Sequence, residues 1–287
     1  MKKILAVFLA TAACIALCAC GTVVNPPEQT TTGSKIEKVY EVDGTVLKNC
    51  KGQSDKNGVF VVPDGITEIG EGAFSGDTEI KEVVLHDGIV KINEGAFYSA
   101  ISLEKVTFGK GLKTIGGGAF QYCESLKTLE LPEGLEEIGA KAFYQCTGLK
   151  SVSLPSTLKL IDSYAFALCT RLPELTIPDN VSFIGNCAFQ ACWLLTDVTL
   201  PKSLARLNYQ TFAGCKLLEN VNFAKDGALT EIGPYAFWQC NELRKITLPE
   251  GLSKIERYAF YDCGKLDNVS VPSTLTDSAE YAFDGTP

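Results

Sequence analysis

With 287 residues, 46% of them hydrophobic, the chain can bury a sizeable core, while 34 acidic against 26 basic side chains leave a net charge of −8. That balance excludes nucleic acid as a natural partner, since binding it needs a positive surface that displaces counterions. A single histidine, His86, leaves no set of residues for a hydrolytic triad or a histidine-rich zinc site.

Residues 1–19 place Lys2 and Lys3 ahead of an apolar run from Ile4 to Ala19. The run is shorter than the roughly 20 residues a spanning helix needs, so it reads as a signal peptide. Its end, Leu17-Cys18-Ala19-Cys20, resembles the bacterial lipoprotein signal, in which a small residue precedes a cysteine that takes a diacylglycerol. The resemblance implies lipidation at Cys20, with the membrane touched through that anchor only. Residues 20–35, rich in proline, threonine and glycine, read as the lipidated cysteine and a flexible tether. In residues 36–62, Asp43-Gly44 lies between apolar runs as a hairpin turn would, and GVFVVP reads as a further strand. Neither segment has the unit that follows, so 36–62 is expected to cap the first coil.

Residues 63–287 repeat one unit. In GGGAFQYCESLKTLELPEGLEEI, Gly116 to Ile138, Leu129 and Leu131 are two apart, as in a short strand, whereas Phe120, Cys123 and Leu126 are three apart. The second spacing predicts a short helical or 3₁₀ return. Pro132 and Gly134 end the strand. Phenylalanines recur at 74, 97, 120, 143, 166, 189 and 212 with a step of 23 residues, then at 237, 260 and 283, and nine of the ten follow alanine. A coil of this size cannot hide its own apolar side; stacked copies can, which defines a solenoid.

The unit L-x-x-V/L-x-L-P-x-x-L-x-x-I-G-x-x-A-F-x-x-C, as in Leu149 to Cys169 with Asp162 in the glycine place, resembles the BspA-like leucine-rich repeat. The resemblance implies an α/β repeat fold: a right-handed leucine-rich-repeat solenoid of 23-residue units with a parallel β-sheet face and short helical or 3₁₀ returns. It also implies display on a cell surface as an adhesin-like interaction module. Fold transfers through such a likeness better than function does.

Within the repeat, Cys123, Cys146, Cys169, Cys192, Cys215, Cys240 and Cys263 share one register, three after the phenylalanine, and read as buried free thiols. Cys50 and Cys187 fall outside it, and Cys187, at a variable register, is expected to be the exposed and reactive thiol. His86 reads as a solvated side chain at a strand end. Glu130, Glu174 and Asp197 are expected on one strand face, which keeps a carboxylate-based, glycan-acting hydrolase open as an alternative.

The outward strand positions, such as Thr128, Ser151, Asn220, Asn222 and Lys245, align hydroxyls and amides that suit an extended partner, or simply a solvated sheet. Aromatics gather in the later returns, where Trp193, Tyr235, Trp238, Tyr258 and Tyr261 form a candidate partner-binding strip or a brace between coils. Between Phe212 and Phe237 the step is 25, with two extra residues within 224–228, and such insertions loop out on one face. The expectation is a non-catalytic module at the cell exterior that binds a protein or glycan, without cofactor, metal or nucleic acid. A passive surface spacer is the remaining alternative.

Overall fold

A computed structural model describes residues 40–287 and the backbone of Thr22–Val23. The signal segment and Cys20 lie outside the described residues. Glu41–Asp43 and Val46–Lys48 pair antiparallel around Gly44, whose φ of 63° supplies the left-handed turn. Thr22–Val23 adds antiparallel to Glu41–Asp43, so this β-branched piece of the segment read as a tether joins the sheet edge.

From there the chain winds as stacked coils with two parallel rows of strand. The long row has three-residue rungs, from Val59–Val61 and Glu82–Val84 through Thr128–Glu130 to Asn268–Ser270. The short row begins at Val46–Lys48 and runs through Glu68–Ile69 and Glu137–Ile138 to Asp277–Ser278. The hairpin and the GVFVVP strand, assigned to a cap, therefore each supply the first rung of a row. Register is strict along both rows: Leu129 opposes Val152 and Ile138 opposes Ile161, so each residue meets its own counterpart in the next coil.

The expected helical or 3₁₀ returns are absent among the described residues, and stacked turns stand in their place. Around each phenylalanine the backbone enters the left-handed region twice, two residues before and two after; Lys141 and Gln145 flank Phe143 at φ 57° and 59°. A helix cannot survive left-handed residues at that spacing. The alternation instead splits the donors. Ala142 and Tyr144 donate their N–H within the coil, to Gly139 and Lys141, while Lys141, Phe143 and Gln145 donate forward to Ser163, Ala165 and Ala167. The three-residue spacing was a turn signal, and the return is a third hydrogen-bonded row.

This row holds the core in line. Phe97, Phe120 and Phe143 are fully buried, with ring centroids 4.9 and 5.2 Å apart and planes 4° and 3° from parallel. Adjacent strands sit about 4.8 Å apart, so parallel rings stack at that spacing only when displaced or tilted. Outside the core, lysines bridge neighbouring coils: Lys105 reaches Glu82 at 2.7 Å and Lys159 reaches Glu136 at 2.6 Å. These exposed pairs contribute about 0–1 kcal/mol each.

The rows break in places. Between Ser151–Ser153 and Glu174–Thr176, Pro173 takes the position from which Lys150 donates to Lys127, and proline has no N–H to give. Between Asn220–Asn222 and Lys245–Thr247 the ladder is also lost, at the 25-residue step.

Phe143→Ala should lose about 3–5 kcal/mol of unfolding free energy in urea titration. The exposed Lys150→Ala should change it by less than about 0.5 kcal/mol. At the left-handed position, Lys141→Val should destabilise by roughly 1–2 kcal/mol, since a β-branched residue fits poorly there, and Lys141→Gly should not.

Candidate functional site

Four groups of residues are the candidates, and the fold treats them differently. The ladder cysteines are buried. The Cys146 thiol donates to the carbonyl of Phe120 at 3.2 Å, and Cys169 repeats this with Phe143 at 3.3 Å. That same Phe120 carbonyl accepts the N–H of Cys123, so a thiol in one coil completes the turn of the coil before it. Each ladder thiol is thus aimed at a backbone oxygen. Burial pushes the Cys192 thiol up to about 12 and lifts Cys146, Cys169 and Cys215 well above their ordinary value.

Cys187 is a correction: it is buried, its thiol lies 3.6 Å from Gln210 Oε1, and burial raises its pKa, which makes it a poor nucleophile. The register was expected outside because its residues vary. They vary because their common requirement is a left-handed backbone, and the small Cys187 side chain is covered there while Lys141 and Tyr281 are exposed. Cys50 is buried as well, and burial pushes it up to about 12.

His86 uses both ring nitrogens, Nε2 against the carbonyl of Pro63 at 3.0 Å and Nδ1 accepting from the N–H of Gly88 at 3.1 Å. It joins two coils rather than standing solvated. Two of the three carboxylates come together and the third does not. Glu174 and Asp197 oppose each other at the first place of their rungs, whereas Glu130 is at the third place, in register with Ser153. Asp197 accepts from Asn220 Nδ2 at 2.7 Å and Thr196 Oγ1 at 2.6 Å, which commits both its oxygens.

Of the five aromatic candidates, four come together. Tyr258 stacks on Tyr235 at 5.0 Å and meets Tyr261 edge-on at 5.3 Å, while Tyr235 meets Trp238 edge-on at 6.0 Å. Tyr281 extends the stack at 5.7 Å, and the Arg257 guanidinium lies 4.7 Å from the Tyr258 ring centre. All four are half-buried, and the indole N–H of Trp238 is buried without a hydrogen-bond partner. Trp193 stands apart, with the Lys216 ammonium 5.5 Å from its ring. It is 46% exposed beside Leu194, 44%, and Leu217, 39%. A second chain of edge-on rings, Tyr98, Tyr122 and Tyr144, runs over earlier coils.

The fourth candidate is a groove of about 690 Å³ across the last long-row rungs, where the ladder between Asn220–Asn222 and Lys245–Thr247 is lost. Asn222 and Phe223 line one flank, Lys245 and Thr247 the other, and the inserted Lys225 and Asp226 stand at its end. Asp226 has φ 56°, and the N–H of Ala228 ties the insertion to the carbonyl of Lys202. The sequence carried both signals, outward asparagines and a 25-residue step, but not their meeting in one hollow.

With the repeat geometry in hand, the family is decided by its sequence model. The BspA type leucine rich repeat region matches in six copies over residues 46–173 and 159–287. The chain belongs to this family. A leucine-rich repeat protein of T. pallidum, TpLRR, is similar in structure at 25% identity and a TM-score of 0.50, covering 69% of this chain and 82% of that one. The pneumococcal vaccine antigen PcpA is similar at 24% identity and a TM-score of 0.55, over 90% of this chain and 76% of its own. A leucine-rich repeat protein from Eubacterium ventriosum gives 20% identity and a TM-score of 0.52, over 86% and 92%. No curated protein matches the chain significantly. Family and neighbours alike are leucine-rich-repeat proteins, which are in general interaction modules, and no catalytic family is among them.

The buried thiols couple stability to alkaline pH. Burial raises the pKa of Cys50, Cys123, Cys146, Cys169, Cys187, Cys192, Cys215 and Cys240 in the folded chain, so their contribution is complete below the unfolded thiol value near 9. As pH rises from 9 toward 12, the unfolded chain loses protons that the folded chain keeps, and stability falls by up to about 1.4 kcal/mol per pH unit for each thiol. Urea titrations at pH 8, 9 and 10 should show this fall, and Cys146→Ala should make it shallower.

Proposed function

We propose that this chain is a non-catalytic, adhesin-like interaction module, held at the cell exterior by a lipid on Cys20, that binds a protein or glycan through its repeated surface. The observation that carries the reading is the groove on the long-row face, because it joins a concave volume to polar side chains that have no internal partner. Ligand clefts commonly measure about 300–1,000 Å³, and this one falls in that range. The anchor rests on the Leu17-Cys18-Ala19-Cys20 pattern, and the exterior location on the signal peptide before it. Against a hydrolase stands Asp197, the carboxylate opposite Glu174, whose two oxygens accept from Asn220 and Thr196, whereas a carboxylate mechanism needs two groups free to flank one bond. Against a passive spacer stands the groove itself.

A second contact surface is favoured by the exposure of Trp193, Leu194 and Leu217, whose coils are joined by the N–H of Leu217 donating to the carbonyl of Trp193 at 3.3 Å. Large exposed aromatic and aliphatic side chains in one patch suit a protein partner. The stacked Tyr235, Trp238, Tyr258 and Tyr261 are proposed to border this contact while bracing the coils.

Affinity capture with the intact chain from the organism's surroundings tests the reading. A specific partner should be retained, and either Lys245→Ala with Asn222→Ala, or Trp193→Ala, should weaken it at least tenfold with the denaturation midpoint unchanged. Retention of nothing, or equal retention by all variants, would defeat it. Loss of membrane association in Cys20→Ala is the matching test of the anchor.

A further inference from the structure

We infer that the long-row groove takes a neutral oligosaccharide, an assignment that rests on the interaction-module reading and names its ligand class. The inference starts from side chains left without partners. Some charged residues one coil apart neutralise each other, as Lys265 does with Glu242 at 2.5 Å and Arg206 with Glu231 at 2.9 Å. In the groove, Lys225, Asp226 and Lys245 make no ion pair or side-chain hydrogen bond among the described residues, and neither does Asn222. Glu250, on the same wall, accepts only a long 3.4 Å bond from Ser273. Hydrogen-bonding capacity that the chain does not use internally is thereby collected around one hollow.

The sign of that capacity selects the ligand. Two lysines face one aspartate and one glutamate, so the groove has no net charge to hold a polyanion or an acidic peptide. What remains is a close mixture of donors and acceptors: ammonium groups, carboxylates, the Asn222 amide and the Thr247 hydroxyl. Sugar hydroxyls are donors and acceptors at once and match such a mixture, whereas a peptide strand presents its polar groups in a fixed alternation. Phe223, half-buried at the flank, and Val271, 55% exposed, add apolar surface for the C–H face of a pyranose ring. The volume of about 690 Å³ lies in the range of clefts that take a small ligand, which a short oligosaccharide fills.

The test is an array of neutral, sialylated and sulfated glycans probed with the intact chain, followed by calorimetric titration of the best binder. Neutral glycans should bind, with an affinity that changes less than about twofold between 50 and 500 mM salt, since no counterions are released. Asn222→Ala and Lys245→Ala should each weaken binding about tenfold, while Glu174→Gln, three rungs from Lys245, should leave it unchanged; matching denaturation midpoints show the variants folded. Binding confined to sialylated or sulfated glycans and lost with salt overturns the inference. An array without neutral binders, with a captured protein partner still weakened by the groove variants, overturns the oligosaccharide but leaves the module reading standing. If no partner of any class responds to the groove variants, the oligosaccharide falls, and if none responds to Trp193→Ala either, the module reading falls with it.

Discussion

The structure depends on one constraint, the hydrogen-bond spacing between successive coils. Three rows of backbone bonds, two of strand and one of turn, hold each coil against the next, so every residue is repeated at nearly the same separation. A side chain that packs well against a copy of itself is favoured there, and one that does not is penalised in every coil. Phenylalanine meets the condition by tilted, parallel stacking, isoleucine by branched contacts along the short row. Cysteine meets it by turning its thiol onto the carbonyl of the preceding coil.

The same constraint explains where variation is allowed. Positions two residues either side of the phenylalanine hold residues as different as glycine, lysine, tyrosine, cysteine and aspartate, because their common requirement is a backbone angle and not a side chain. Tyrosine exploits this freedom in the last coils by stacking on its counterpart, which spreads the packing of the core onto the surface. Outward strand positions are freer still, and there hydroxyls and amides mix with charged residues.

The surface of such a scaffold changes character where the repetition fails. Pro173 removes one donor and interrupts the long row. The two extra residues after Phe223 change the path between rungs, and a groove forms with unpaired side chains around it. A perfectly regular solenoid offers every partner the same surface many times; an interruption marks one place as different.

The solenoid, its 23-residue coil, the buried phenylalanine and cysteine registers and the parallel sheet were all legible in the sequence, because a side chain repeated at constant spacing has to meet its own copy. The return was misread, since three-residue spacing fits a helical turn and an alternating turn equally, and only the sign of φ distinguishes them. Cys187 was misplaced for a related reason: variability signals exposure when side chains set a register, but not when the backbone does. Glu130 lies on the outward face with Glu174, as its alternation implied, but at the third place of its rung rather than the first, a distinction that strand register alone makes. The groove belongs wholly to tertiary structure. Asn222, Lys225 and Lys245 are ordinary in the chain, and they line one hollow only because the coils of the 25-residue step bring them together where the ladder is lost.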